Sequence, residues 1–229
     1  MLKELRRRVS AANRDLVKTG LVTLTWGNVS GIDRQKGLMV IKPSGVPYDE
    51  LLPECMVVVD MEGRVVEGDL KPSSDTPTHL ILYRALETIG GVVHTHSRHA
   101  TMFAQARREI PCLGTTHADH FHGSVPVTRP LSEQEVAEDY EGFTGQVIVE
   151  RFAGLDPDAM PAVLVAGHAP FTWGAGAEKA LDNSVALEAV AEMALGTWSI
   201  DRAARELEPW VLEKHYQRKH GPAAYYGQK

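Results

Sequence analysis

The sequence predicts an α/β fold in which a central, mostly antiparallel β-sheet is flanked by α-helices on both faces. Three observations lead there: helix-spaced apolar residues at both ends of the chain, a β-rich block with hairpin punctuation near its start, and short apolar strands alternating with helices in the middle. The 229 residues, 43% of them hydrophobic, suffice for one sizeable core, and the chain reads as a single domain over 1–229.

Leu2, Leu5, Val9, Ala12 and Leu16 recur at steps of three and four, one face of a helix that Gly20 is placed to end. From Leu21 to Asp60 the texture turns to β-rich segments, LVTLT, GLMVI and MVVVD, separated by WGN, KPSG and Pro53; DMEGRVVEGD then reads as a hairpin. KPSSDTPTHLILYRALETIGG opens a helix with Asp75 or Thr76 at the N-cap and Pro77 in the first turn, and Gly90-Gly91 stops it. GVVHTH is the next strand and SRHATMFAQA a helix, while SEQEVAEDYEG opens another helix with a Ser132 to Glu135 capping box. MPAVLVAGHAPF adds one more strand, and from Glu178 the chain is mostly helical to His220, ending in GPAAYYGQK.

Composition removes several function classes. A net charge of −6 and a pI near 5.9 leave no basic face for nucleic acid or an anionic membrane, so an anionic ligand must be met locally. Cys55 and Cys112 alone give neither a disulfide framework nor a thiolate metal pair. MLKELRRRVS lacks the apolar core of a signal peptide and no run of about 18 apolar residues occurs, so a cytoplasmic protein is expected.

Six of the ten histidines fall between His94 and His122. On a strand, residues i and i+2 share a face, so His94 and His96 set two imidazoles side by side, about 6 to 7 Å apart at the backbone. Such a pair serves either structural hydrogen bonding or one divalent ion of the zinc type. His168, after AVLVAG at a strand end, is the candidate third ligand, and Asp75 the candidate acidic one, with helix capping as its alternative use. Lys71-Pro72-Ser73-Ser74 supplies hydroxyls and backbone N–H groups at a helix N-terminus. Lys42-Pro43-Ser44-Gly45 offers a second turn with a charge and a glycine. Each is a turn when taken alone; the two beside a metal suggest a phosphorylated substrate.

LTWGNVSG, IKPSGVPYDEL, KPSSDTPTH, GGVVHTHSRHAT, GTTHADHFHG and KHYQRKHGPAAYYGQ together resemble the L-ribulose-5-phosphate 4-epimerase family of the class II aldolase and adducin-head superfamily, essentially from Met1 to Gln228. The resemblance implies an α/β/α class II aldolase-like fold and metal ligands at His94, His96 and His168, with Asp75 close to or on the ion. It implies zinc first, with manganese and cobalt as alternatives. Gly27, Asn28, Lys42, Ser44, Gly45, Ser73 and Ser74 would hold a pentulose 5-phosphate. Asp119 and Tyr226 match the family's proton-transfer pair; Thr115, Glu141, His215 and Arg218 match supporting positions. A homotetramer around a four-fold axis, in which the C-terminal tail completes a neighbouring site, is implied as well, with L-arabinose use as the metabolic setting. One departure is the apolar Val165-Ala166-Gly167 before His168, where familiar epimerases are more polar.

Inverting C4 of a ketopentose phosphate cannot proceed by removing an acidic hydrogen, because C4 is not next to the carbonyl. A nicotinamide route would call for G-x-G-x-x-G, and the nearest match, Gly174-Ala175-Gly176, has Lys179 at the third glycine and reads as a turn into a helix. Cleaving and rejoining C3–C4 requires a Lewis acid for the C2 and C3 oxygens and a proton acceptor for the C4 hydroxyl, which the metal set with Asp119 and Tyr226 would supply. Two rivals share the scaffold, an aldolase that releases its aldehyde and a non-catalytic module like the adducin head. Asp75 in place of the aldolases' glutamate weighs against the first, and three retained histidines against the second. A metallohydrolase would need an HExxH helix, which is absent from the sequence.

Overall fold

The computed structural model of the protein describes residues 1–225. Among them, helix α1 (Lys3–Lys18) leads into strands β1 (Gly27–Asp33), β2 (Leu38–Ile41), β3 (Val57–Asp60) and β4 (Val65–Glu67). Helix α2 (Thr76–Ala85), strand β5 (Gly91–Thr95) and helices α3 (Arg98–Ala106), α4 (Thr115–Ala118) and α5 (Glu133–Arg151) follow. Strands β6 (Ala162–Leu164) and β7 (Pro170–Gly174) precede helices α6 (Ala177–Ile200) and α7 (Pro209–His220). The strands form one sheet in the order β4-β3-β2-β1-β5-β7-β6, and every neighbouring pair is antiparallel.

Strand alternation divides the apolar residues between two cores. Met39, Ile41, Val57, Val59 and Val92 face α2, α3, α5 and much of α6, whereas Val40, Val58 and Val93 face α1 and the start of α6. Helices on both faces, as expected, follow from strands that bury both sides. No helix among the described residues is long and apolar enough to cross a membrane.

Four segments depart from the sequence reading. LVTLT is not a strand: Leu21 anchors in the core, Leu24 turns left-handed at φ 52°, and Trp26 N–H donates to Thr23 O at 3.0 Å, so β1 starts only at Gly27. MPAVLVAGHAPF is a hairpin of β6 and β7 rather than one strand, reversed at Gly167 with φ 76°. The helix opened by Ser132 does carry both capping-box bonds, but it runs past a non-helical Asp139 as far as Arg151. Helix α2 ends at Ala85 with Leu86 as its C-cap, ahead of Gly90-Gly91, so these glycines do not stop it, contrary to the sequence reading. A Cβ on Gly91 would lie 2.3 Å from the carbonyl carbon of Gly176, so these glycines let β5 pass against the turn that starts α6.

Candidate functional site

Strand β5 lies between β1 and β7, with His94 opposite Asn28 on one side and Phe171 on the other. The His94 ring stacks on Phe171 at 4.2 Å, and its Nδ1 donates to Pro170 O at 3.0 Å. A carbonyl can only accept, so this bond puts a proton on Nδ1 and makes Nε2 the nitrogen that His94 can offer an ion. His96 follows the strand's last residue, and His168 sits in the β6–β7 turn. Ring centres are 5.0 Å apart for His94–His96, 4.9 Å for His94–His168 and 5.1 Å for His96–His168.

This near-equilateral triangle fits a single divalent ion. One donor nitrogen from each ring lies within 4.8 Å of the other two, and a tetrahedral ion with nitrogens at about 2.1 Å would hold the ring centres about 5 Å apart. Burial, then the neighbouring His94, lowers His96 to about 4; burial with His94 and His96 lowers His168 to about 3. Both are therefore neutral at physiological pH, the form a metal requires.

Asp75 occupies the N-cap position of α2 yet makes no capping bond with its side chain. Its Oδ2 instead accepts from Asn28 Nδ2 at 2.6 Å, and the same amide reaches Ser73 Oγ at 3.1 Å. Burial opposes ionisation of Asp75, but the fields of His94 and His79 and the Asn28 bond outweigh it and hold the carboxyl below its ordinary range. Asn28 Oδ1 is buried with no partner, an acceptor aimed at nothing the described residues supply.

The two Lys-Pro-Ser turns are stitched into one platform. Ser44 N–H donates to Lys71 O at 2.9 Å and Ser73 N–H to Lys42 O at 3.0 Å, bridging Pro43 and Pro72. Those two N–H groups are therefore not free for an anion, contrary to the sequence reading, while Lys42, Ser44, Gly45, Ser73 and Ser74 all line the neighbouring cavity. Lys42 is 2% exposed, lies 5.0 Å from the Tyr48 ring, and has no carboxylate within 4.0 Å among the described residues. Burial lowers its ammonium to about 8.

These groups share one cavity of about 600 Å³. Each of the residues expected to bind metal or sugar lines it: Gly27, Asn28, Lys42, Ser44, Gly45, Ser73, Ser74, Asp75, His94, His96 and His168. The donors that converge within 4.8 Å are the three histidines, with Asp75 beside them. Asp119 does not line this cavity. Its carboxylate takes a two-pronged contact from Arg218 and a bond from His215 Nδ1 at 3.1 Å, while His220 Nε2 donates to its carbonyl at 2.9 Å. Burial works against its ionisation, but the Arg218 and His215 bonds prevail and hold it below the ordinary range. Tyr226 lies outside the described residues. His117 closes a loop by donating to Gly123 O at 2.8 Å.

Sequence reasoning missed three contributors. Tyr140, beside the kink at Asp139, brings its hydroxyl to 3.3 Å from His168 Nδ1 and supplies the polar support that Val165-Ala166-Gly167 lacks. Trp26 lines the cavity with its ring 6.3 Å from His96. Glu188 on α6 accepts from the N–H groups of His99 and Ala100 at 3.0 and 3.1 Å, tying down the segment just beyond His96.

Residues 7–195 match the family described as Class II Aldolase and Adducin N-terminal domain. Over 228 residues, covering the whole of both chains, the protein is 54% identical to "L-ribulose-5-phosphate 4-epimerase UlaF" of Salmonella paratyphi C (strain RKS4594), and equally to that of Salmonella choleraesuis (strain SC-B67). Among solved structures it is similar to an L-fuculose 1-phosphate aldolase, with a TM-score of 0.79 and 26% identity over 94% of this chain and 95% of that one. It is also similar to the l-fuculose-1-phosphate aldolase of Thermus thermophilus, with a TM-score of 0.68 and 26% identity over 89% and 98% of the two chains.

Proposed function

The chain belongs to the Class II Aldolase and Adducin N-terminal domain family, and from that premise we propose that, as one domain spanning 1–229, it interconverts L-ribulose 5-phosphate and D-xylulose 5-phosphate. The full-length likeness to proteins named for that reaction supports the substrate. The observation that carries the chemistry is the triangle of three imidazoles in one cavity with a buried lysine that has no carboxylate partner among the described residues.

Lys42, with the hydroxyls of Ser44, Ser73 and Ser74 and the backbone at Gly45, takes the substrate's phosphate; an ammonium buried without a counter-ion gains most from a dianion. Asn28 Oδ1, the orphaned acceptor, takes a sugar hydroxyl, and its amide keeps Asp75 in place. A divalent ion held by His94, His96 and His168, zinc being the best match to three imidazoles, supplies Lewis acidity toward the ketose oxygens.

The C3–C4 bond then breaks while the C4 hydroxyl loses its proton, leaving the electron pair on C3 and an aldehyde at C4. Asp119 and Tyr226 are assigned the proton traffic: one accepts the hydroxyl proton on one face, and the other returns a proton on the opposite face after the aldehyde has turned. Because Asp119 is held by Arg218 and His215 and does not line its own chain's cavity, the pair is assigned to a neighbour's site in a homotetramer.

The test is a product assay with metal-loaded protein and L-ribulose 5-phosphate, separating D-xylulose 5-phosphate from glycolaldehyde phosphate. Xylulose phosphate without free aldehyde is expected. Stoichiometric free aldehyde would make the protein an aldolase, and an unchanged substrate would refute the assignment.

A further inference from the structure

Cleavage and rejoining make an epimer only if the two-carbon aldehyde fragment turns over before it escapes. The cavity therefore needs a wall that confines the fragment without holding it by hydrogen bonds, since a bonded aldehyde would not rotate. From the geometry we propose that Trp26 is that wall, and that its indole separates epimerisation from net cleavage. The inference rests on the reaction assigned above.

The placement of Trp26 is otherwise unexplained. The indole belongs to neither hydrophobic core and is 52% exposed, although a side chain of this size gains most from burial. Its backbone is nonetheless tightly determined. Leu24, itself 75% exposed, adopts φ 52°, a left-handed conformation that costs a non-glycine residue energy. Gly27 sits at φ 120°, where a Cβ would come within 2.9 Å of His94 O and 3.0 Å of Val22 Cγ1. The turn and the close approach thus fix Trp26 against the end of the histidine strand, its ring tilted by 55° to His96.

Tyr140 stands beside His168 with its hydroxyl turned to that ring, also partly exposed. Of the aromatic side chains next to the histidines, Phe171 is buried and Tyr140 and Trp26 are exposed, and of these two Trp26 leaves a larger exposed surface among the described residues. With the phosphate held in the Lys42 and serine platform, rotation about C4–C5 swings the aldehyde's oxygen and hydrogen past the cavity wall and presents the other face of C4. An apolar ring limits exit yet leaves the carbonyl free to turn.

The test uses the full-length metal-loaded protein and its variants Trp26→Ala and Trp26→Phe, with metal content and circular dichroism measured on each. L-Ribulose 5-phosphate is supplied, and D-xylulose 5-phosphate is quantified against free dihydroxyacetone and glycolaldehyde phosphate. Atoms balance, because protonation of C3 in the three-carbon fragment gives dihydroxyacetone. Trp26→Ala should raise the ratio of free fragments to epimer roughly tenfold at unchanged metal content, while Trp26→Phe stays within roughly threefold of the wild type. The reverse reaction is run as well: given dihydroxyacetone and glycolaldehyde phosphate, Trp26→Ala should still condense them. An unchanged ratio in Trp26→Ala overturns the inference. So does a fully metallated Trp26→Ala that neither cleaves nor condenses, and so does a Trp26→Phe protein that leaks as much as Trp26→Ala. Wild-type protein that leaves L-ribulose 5-phosphate untouched overturns the functional assignment first, and that failure is visible before any substitution is made.

Discussion

Two inactive chains should rebuild active sites when they assemble together. Asp119→Asn leaves the histidine triangle intact but removes a proposed proton carrier; His96→Ala leaves Asp119 and its Arg218 and His215 contacts intact but breaks the triangle. If each site takes its metal from one chain and its Asp119 from the next, a working site needs an Asp119→Asn chain followed by a His96→Ala chain. In a closed ring formed at random from equal amounts, half the positions satisfy each condition independently, so about one quarter of wild-type activity returns. Co-expression with two affinity tags, sequential purification of mixed assemblies and the xylulose phosphate assay measure it. Selecting mixed assemblies excludes the pure ones and raises the fraction somewhat above a quarter. Were Asp119 to act within its own chain, no mixed assembly would contain one intact site, and activity would stay at the background of the single variants. That outcome would refute both the shared site and the subunit arrangement built on it.

His96→Ala alone should lose turnover together with bound metal, and full metal stoichiometry after dialysis would remove His96 from the ligand set. Tyr226→Phe should retain its metal and lose epimerisation; normal product formation would withdraw Tyr226 from the proton-transfer pair. Lys42 titrates near 8 because burial disfavours its charge, whereas a bound phosphate favours it. Above that pH the free protein must take up a proton to bind, so KM should rise by as much as about tenfold per pH unit between about pH 8 and 9.5. Lys42→Gln should bind more weakly at neutral pH and lose this slope, and a flat wild-type KM over the range would count against the phosphate assignment. Gly91→Ala would drive a Cβ to 2.3 Å from the Gly176 backbone, where no flexible side chain can yield. A loss of about 3 kcal/mol is expected, or a fall in Tm of about 6 to 12 °C by calorimetry, and a change under about 2 °C would show that the α6 turn yields freely.

What the sequence discloses follows the range over which each signal acts. The His94 and His96 pairing, the Ser132 capping box and the two Lys-Pro-Ser turns are local, and period-two spacing, cap chemistry and Pro/Ser/Gly punctuation report local geometry directly. The LVTLT stretch misleads for the same reason. Its alternation is that of a strand, but Leu21 is buried as an anchor and Leu24 reverses the chain, and nothing in five residues distinguishes the two. The sequence marks His168 as a candidate ligand and not as a turn residue, because an apolar run with one glycine is compatible with a strand or a tight hairpin. Tyr140 and Glu188 are invisible in the sequence: one meets His168 across 28 residues and the other His99 across 89, and periodicity carries no information over such distances.

Convergence of the distant pieces nevertheless follows from strand polarity. In the order β2-β1-β5-β7 every neighbour runs antiparallel, so the end of β2, the start of β1, the end of β5 and the start of β7 all meet at one rim. Lys42 follows the first of these, Gly27 and Asn28 begin the second, His94 and His96 stand at the third, and His168 precedes the fourth. The site therefore depends on register more than on any one loop. A one-residue slip of β5 would exchange the faces of Val93 and His94, send an imidazole into the core formed with α1, and leave the cavity without two of its three histidines. Gly91, pressed against the Gly176 backbone, holds the start of β5 against such a slip, so a residue at the opposite end of the strand from His96 helps to set the arrangement of the three histidines.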